Sequence, residues 1–152
     1  MHYTIGEMAK LLHIQPSTLR FYDKEGLLPF VERTGSGIRV FTETDYEWLR
    51  VIECLKSAGM PLKDIKNFIE LAIAGDSTIA ERLTLIQRQR RAVEEQIAKM
   101  QNTLAILQYK EWYYETATHA GSTAIPRNMA ENEIPPQFVE VRKQLKELHY
   151  GK

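Results

Sequence analysis

Apolar positions in the first part of the chain recur at helical spacing, in short blocks punctuated by glycine and proline. Residues 4–12, TIGEMAKLL, place Ile5, Met8, Ala9 and Leu12 on one stripe, and Thr4 stands three residues ahead of Glu7 in the capping-box pattern. Residues 15–28, QPSTLRFYDKEGLL, form a second block. Pro16 suits a first helical position, Leu19 and Tyr22 share one face, and Gly26 can take the left-handed conformation that ends a helix. Ser17, Thr18, Arg20, Phe21 and Lys24 are left on the outward side. The two blocks meet through His13, Ile14 and Gln15, and small Ala9 allows a close crossing. This predicts a helix-turn-helix over about residues 4–24.

The period changes after Pro29. In PFVERTGSGIRVF, β-branched and aromatic residues flank Thr34-Gly35-Ser36-Gly37, which predicts a two-stranded wing over residues 30–41 with Arg33 and Arg39 on either side of its turn. Thr42 then caps a third helix, with Asp45 three residues on, apolar faces from Tyr46, Leu49, Val51, Ile52 and Leu55, and Gly59 at its close. Pro61 opens a fourth, whose buried side is Leu62, Ile65, Phe68, Ile69 and Ile73. Residues 1–75 are expected to form one compact domain.

A different element follows. From Ile79, the positions Leu83, Ile86, Arg90, Val93, Ile97, Met100, Leu104, Leu107, Glu111 and Tyr114 alternate steps of four and three, a heptad seam with no Gly or Pro inside it. A helix of about 36 residues would be about 54 Å long, too long to bury its seam against so small a head. Residues 77–115 are therefore expected to dimerise with a second copy, since a solitary helix would leave Ile97, Leu104 and Leu107 in water. Arg90 is the polar exception on the seam. The pattern decays after Glu115. Residues 119–134 read as a linker, and a last helix is expected from Pro136 to His149 with Phe138, Val141, Leu145 and Leu148 on one face, so residues 116–152 form a tail for packing or effector binding. The fold class is mainly α: a winged helix-turn-helix, a long coiled-coil helix and a short tail.

Composition changes this picture little. The 152 residues, 43% hydrophobic, hold one ordinary core or a small core plus an extended element, which excludes a large enzyme. Twenty basic and twenty acidic residues cancel, and the first 75 residues carry nine Lys or Arg against ten Asp or Glu. Nucleic-acid binding must therefore rest on where particular cations sit. No apolar run reaches membrane-spanning length and no signal peptide is evident, so a soluble cytoplasmic protein with no membrane contact is expected. The only cysteine, Cys54, excludes an internal disulfide and a metal site built on paired thiols.

The order TIGEMAKLL, STLRFYDKEGLL, R-x-x-x-G-x-R-x-F, TxxDxxWL and ECLKSAGMPLKDIK, followed by a long coil, resembles the MerR family of bacterial transcription regulators. The likeness covers residues 1 to about 75 in detail and the coil in architecture. His13 departs from the glycine usual in the turn, but histidine tolerates positive φ better than most residues. The resemblance implies a homodimer held by an antiparallel coil on an inverted repeat of double-stranded promoter DNA, with RNA polymerase as the downstream partner. Carried onto matching positions, it assigns Ser17, Thr18, Arg20 and Tyr22 to recognition-helix contacts, Arg33, Gly37 and Arg39 to the wing, and Thr4 to an N-terminal contact. Similar proteins untwist an over-long promoter spacer when an effector binds, a use of DNA deformability. An ion pair from Arg20 to Asp23 or Glu25 is the structural alternative for that arginine.

The effector is less legible. No cysteines stand near the end of the coil, which argues against thiolate metal sensing, and His119 and His149 alone make a weak site. No metal or cofactor is expected. Cys54 matches a cysteine in the electrophile-responsive branch of the family and would sense aldehydes if Lys56 or Arg50 activated it, whereas a packed cysteine is simply a small hydrophobe. Tyr109, Trp112, Tyr113 and Tyr114 suit an apolar or cationic small molecule, or glue the coil's end to the neighbouring subunit. An architectural DNA-bending protein of the excisionase type is the alternative function, although it needs no long coil. An enzyme using Cys54 lacks a base, an oxyanion loop and a cofactor motif.

Overall fold

The computed structural model describes the backbone of residues 1–150 and the side chains of residues 1–146. The chain divides into two compact units, Met1–Val93 and Glu94–Lys152.

The first unit begins with α1 (Ile5–Leu11) and α2 (Pro16–Lys24). The Thr4 hydroxyl accepts from the Glu7 N–H at 3.3 Å and the Glu7 carboxylate accepts from the Thr4 N–H at 2.8 Å, so two amide donors that α1 cannot satisfy internally are paired. The turn into α2 passes through His13 at φ 55°, the one non-glycine residue with positive φ among those described. Pro16 starts α2, as its missing N–H allows. Gly26, at φ 77°, turns the chain after it, and an added Cβ there would meet the Lys66 side chain at 3.2 Å.

Strands β1 (Glu32–Arg33) and β2 (Arg39–Val40) pair antiparallel with Glu32 opposite Val40. The hairpin is tied to the start of the chain by reciprocal backbone bonds between Tyr3 and Phe41, 2.8 and 3.0 Å long. Helix α3 (Glu43–Ser57) opens on a second capping box, Thr42 with Asp45, and α4 (Leu62–Ala74) follows Pro61. Met8, Leu19, Tyr22, Phe41, Leu49, Ile52 and Ile65 have no exposed surface, so all four helices and the end of the wing share one core. Each such side chain contributes about 2 kcal/mol through burial. Two positions expected in the apolar faces lie outside this core: Ile73 is 54% exposed and Val51 38%. They fall at the margins of their stripes, beyond the reach of the facing helices.

Helix α5 runs from Ile79 to Ala120, 42 residues in one element. Its seam is open in the single chain, with Leu83, Ile97, Leu104 and Leu107 each more than half exposed and Met100 69% exposed. The helix outlasts the heptad pattern because nothing stops it before Gly121, whose φ of 76° lets the Ser122 N–H reach the Ala117 carbonyl at 3.1 Å. In the second unit, α6 (Ala124–Asn128) and a 3-10 turn (Glu131–Glu133) occupy the stretch expected as a linker, with Pro126 buried, and a second 3-10 turn (Pro136–Phe138) takes the place expected for the start of the last helix. Prolines interrupt the periodicity there without preventing short helical turns. Helix α7 (Val139–Tyr150) closes the chain. Phe138, Val141 and Leu145 are half-buried as expected, while the side chains of Leu148 and His149 lie outside those described.

Candidate nucleic-acid interface

On α2 the amphipathic division is sharp. Leu19 and Tyr22 are wholly buried, while Ser17 and Arg20 are exposed and Thr18 is half-buried at the helix start. Phe21 remains 43% exposed. Among the described residues Arg20 has no ion-pair partner, and the acid expected to hold it is engaged elsewhere. Asp23 accepts from Arg33 at 2.6 Å and from Arg39, so one carboxylate on α2 takes both wing arginines. Burial works against that charge, but the hydrogen bonds and charges of Arg39 and Arg33 outweigh it together and hold the Asp23 carboxyl below its usual range.

This changes the reading of the wing. Arg39 is 24% exposed, bound to Asp23, and its Nε is buried without a partner, so it fastens the wing to α2. Arg33 is 50% exposed and also reaches the Gly37 carbonyl at 3.3 Å. It keeps a free edge for an anion. Gly37, at φ 80°, supplies the tight turn while the Thr34 carbonyl accepts its N–H at 2.8 Å.

Tyr22 is corrected from a surface contact to a core residue. Its ring has no exposed surface, its hydroxyl donates to Glu53, and Lys56 Nζ donates to that hydroxyl at 3.0 Å while lying 5.1 Å from the ring centre. Burial first, then the Glu53 hydrogen bond and charge, keep the phenol protonated well above its normal range. Tyr22 therefore locks α2 to α3 and sets how Arg20 and Ser17 are presented. Thr4 is exposed, but its side chain serves the capping box, and the same contacts hold Glu7 below the usual carboxylate range, the Thr4 N–H first.

Cys54, on α3, is exposed, unlike its buried neighbour Leu55. It does not pack in the head's core. The cations expected to activate it are committed to rings: Lys56 to Tyr22, and Arg50 to the face of Tyr46 at 5.9 Å.

The aromatic group of the second unit is brought together, with Phe138 added to it. Tyr109 and Trp112 pack on Phe138 at centroid distances of 6.0 and 5.7 Å, and Tyr113 meets Tyr114 edge-on at 5.2 Å. Tyr109, Tyr113 and Tyr114 then line a cavity of about 330 Å³ with Lys110, Arg127, Arg142, Leu145 and Lys146, whereas Trp112 faces a separate hollow beside Glu111 and Glu115. Lys110, Arg127, Arg142 and Lys146 in that lining oppose, by charge repulsion, the cationic ligand that the rings alone suggested. Sequence reading missed Asp23, Glu53 and these cations because each acts across a distance that no local pattern records. Only the i, i+3, i+4 spacing of Lys110, Tyr113 and Tyr114 was there to be found.

Residues 3–71 match the MerR HTH family of regulatory proteins, and residues 46–109 match the MerR DNA-binding family. An uncharacterized HTH-type transcriptional regulator of Haemophilus influenzae is 49% identical over 122 residues, 80% of this chain and 90% of the relative. The regulator ZntR of Escherichia coli strain K12 is 32% identical over 107 residues, 70% of this chain and 76% of its own length. Among solved structures, HiNmlR, a MerR family regulator lacking the sensor domain and bound to promoter DNA, is 48% identical with a TM-score of 0.70, covering 82% of this chain and 99% of that one. A MerR family regulator from Bacillus thuringiensis is 44% identical with a TM-score of 0.65, covering 72% and 96%. The helix pair, the wing and the long helix thus lie within a fold shared with these structures, and the chain belongs to the MerR family of DNA-binding, helix-turn-helix transcriptional regulators rather than to an enzyme family.

Proposed function

We propose that this regulator works as a homodimer on an inverted repeat in promoter DNA, each α2 entering a major groove and each wing resting on the flanking backbone. Residues 1–75 read DNA, 77–115 pair the two copies in an antiparallel coil, and 116–152 serve the effector. Ser17, Thr18 and Arg20 make the groove contacts, Arg33 and Gly37 meet phosphates, and Thr4 adds a backbone contact, while Arg39 and Tyr22 position them. Promoter DNA in the solved relative of 48% identity supports the target.

The observation that carries the dimer is the apolar stripe of α5, which the described residues leave more than half exposed at Leu83, Met100, Leu104 and Leu107. Joined heads fix the separation of two recognition helices, so binding free energy can untwist the DNA between half-sites and realign promoter elements for RNA polymerase. An effector would shift that distortion, either an electrophile at exposed Cys54 or a small molecule in the second unit.

Footprinting on a palindrome upstream of its own or a neighbouring gene tests the reading. Two protected half-sites one or more helical turns apart, centred in a promoter spacer, are expected, and Arg20→Ala should weaken them by 1–3 kcal/mol, a range of about 5- to 150-fold. A single half-site bound by monomers overturns the proposal. Sequence-tolerant protection with bending and no promoter preference would instead support the architectural alternative.

A further inference from the structure

We propose that the second unit's cavity binds a small anion built as a carboxylate on a flat apolar body. The inference deepens the effector part of the proposed function and rests on it only for regulation, since binding can be read without DNA.

The cavity is divided chemically. Tyr109, Tyr113 and Tyr114 offer ring surface and Leu145 an aliphatic edge, and at about 330 Å³ the space suits a molecule of one or two fused rings. Among them stand Lys110, on the same face of α5 as Tyr113 and Tyr114, and Arg127, Arg142 and Lys146, with no acidic residue in the lining among the described side chains. Three acids of this unit face other surroundings. Glu131 pairs with Lys143 at 3.4 Å, and Glu111 and Glu115 line the hollow on the other face of α5.

The fold uses only part of this charge. Arg142 holds the Met129 carbonyl at 2.8 Å and the Arg127 carbonyl at 3.3 Å, which fixes the loop before α7. Arg127 makes one long contact, 3.4 Å to the Thr123 hydroxyl, and is otherwise exposed with donors to spare. Lys110 and Lys146 are exposed, and no carboxylate neutralises either of them among the described residues. Four like charges around one concavity repel one another, and an anion between them converts that repulsion into attraction. A guanidinium fork beside ring faces favours a planar carboxylate over a spherical ion, because two parallel N–H bonds and stacking are satisfied together. The Tyr113 hydroxyl donates to the Thr123 carbonyl at 3.2 Å, so the ring wall is held in place before a ligand arrives. Burial raises the Tyr109 phenol above its ordinary range, with Arg142 opposing, so that ring stays neutral at pH 7.

Calorimetric titration of the full-length protein without DNA, using 2-naphthoate, 2-naphthylmethylammonium and inorganic phosphate, tests this. Naphthoate should bind, the ammonium analogue should show no heat, and phosphate should bind at least tenfold more weakly. Lys110→Glu together with Arg127→Glu, both at exposed positions, should weaken naphthoate at least tenfold while leaving the thermal midpoint and the affinity for operator DNA unchanged. Lys110→Gln with Arg127→Gln should give a smaller loss. Failure of naphthoate to bind at millimolar concentration, equal binding of the ammonium analogue or of phosphate, or an undiminished affinity in the charge-reversed protein overturns the assignment. Operator binding measured on the same samples reports separately on the DNA-reading proposal, so either can fail alone.

Discussion

Asp23, at the end of the recognition helix, grips Arg39, sixteen residues later on the wing, and so makes helix and hairpin one rigid reading head. Arg33 shares the same carboxylate at 2.6 Å. Asp23→Asn keeps the shape but removes the charge, stranding an Arg39 that is only 24% exposed. The head should lose about 2 kcal/mol of stability in urea unfolding, between the cost of an exposed pair and that of a buried one. Operator affinity should fall with it, as the wing swings free.

The same pair predicts a pH dependence. The folded pKa of Asp23 is depressed, so its stabilisation is complete above the unfolded value of about 3.9 and is lost as pH falls through the lower folded value. The stability gap between wild type and Asp23→Asn should be constant above about pH 5 and shrink below about pH 4. A gap that widens in acid would contradict the clip.

Tyr22→Phe removes the hydroxyl that joins Glu53 and Lys56 across α2 and α3. A loss of about 1–2 kcal/mol in thermal or urea unfolding is expected, because the Glu53 carboxylate loses its donor. Because the buried ring that seats α2 in the core is kept in the Phe variant, operator affinity measured well below the melting temperature should change by less than about threefold, under the energy of one ordinary hydrogen bond.

Ile97→Glu with Leu104→Glu places two charges on the exposed stripe of α5. Sedimentation should show a monomer, and specific operator binding should disappear while the head keeps its cooperative melt. A dimer that survives both substitutions would move the interface away from this seam.

Cys54→Ser alters an exposed side chain, so stability should stay within about 0.5 kcal/mol of wild type, and operator affinity should be preserved. A reporter driven by the regulated promoter should lose its response to aldehyde. An unchanged response would assign regulation to another site.

Local chemistry made much of the head legible. The two capping boxes, Pro16, Gly26 and the positive φ of His13 are each decided by neighbours within a few residues, and all stand where the sequence places them. The seam of α5 was legible for the same reason, since its period is local, but its end was not: the heptad fades near Glu115 while propensity carries the helix to the Gly121 stop. The wing arginines were found as residues but their shared partner was not, because it lies ten and sixteen positions away. Ring clustering at the end of α5 was visible, whereas the cations that decide what it can hold come from α5, α6 and α7 together, and only the tertiary fold assembles them.

The Gly26 stop carries a constraint of another kind. Its φ of 77° strains any residue with a side chain, and Lys66 on α4 stands 3.2 Å from where a side chain would begin. The Lys66 tip is the exposed end of a flexible side chain and can swing aside, so the dihedral at Gly26 is the constraint that no change elsewhere relieves. In a saturated library screened for operator occupancy, this position would return its parent residue even where both leucines beyond it tolerate exchange for methionine.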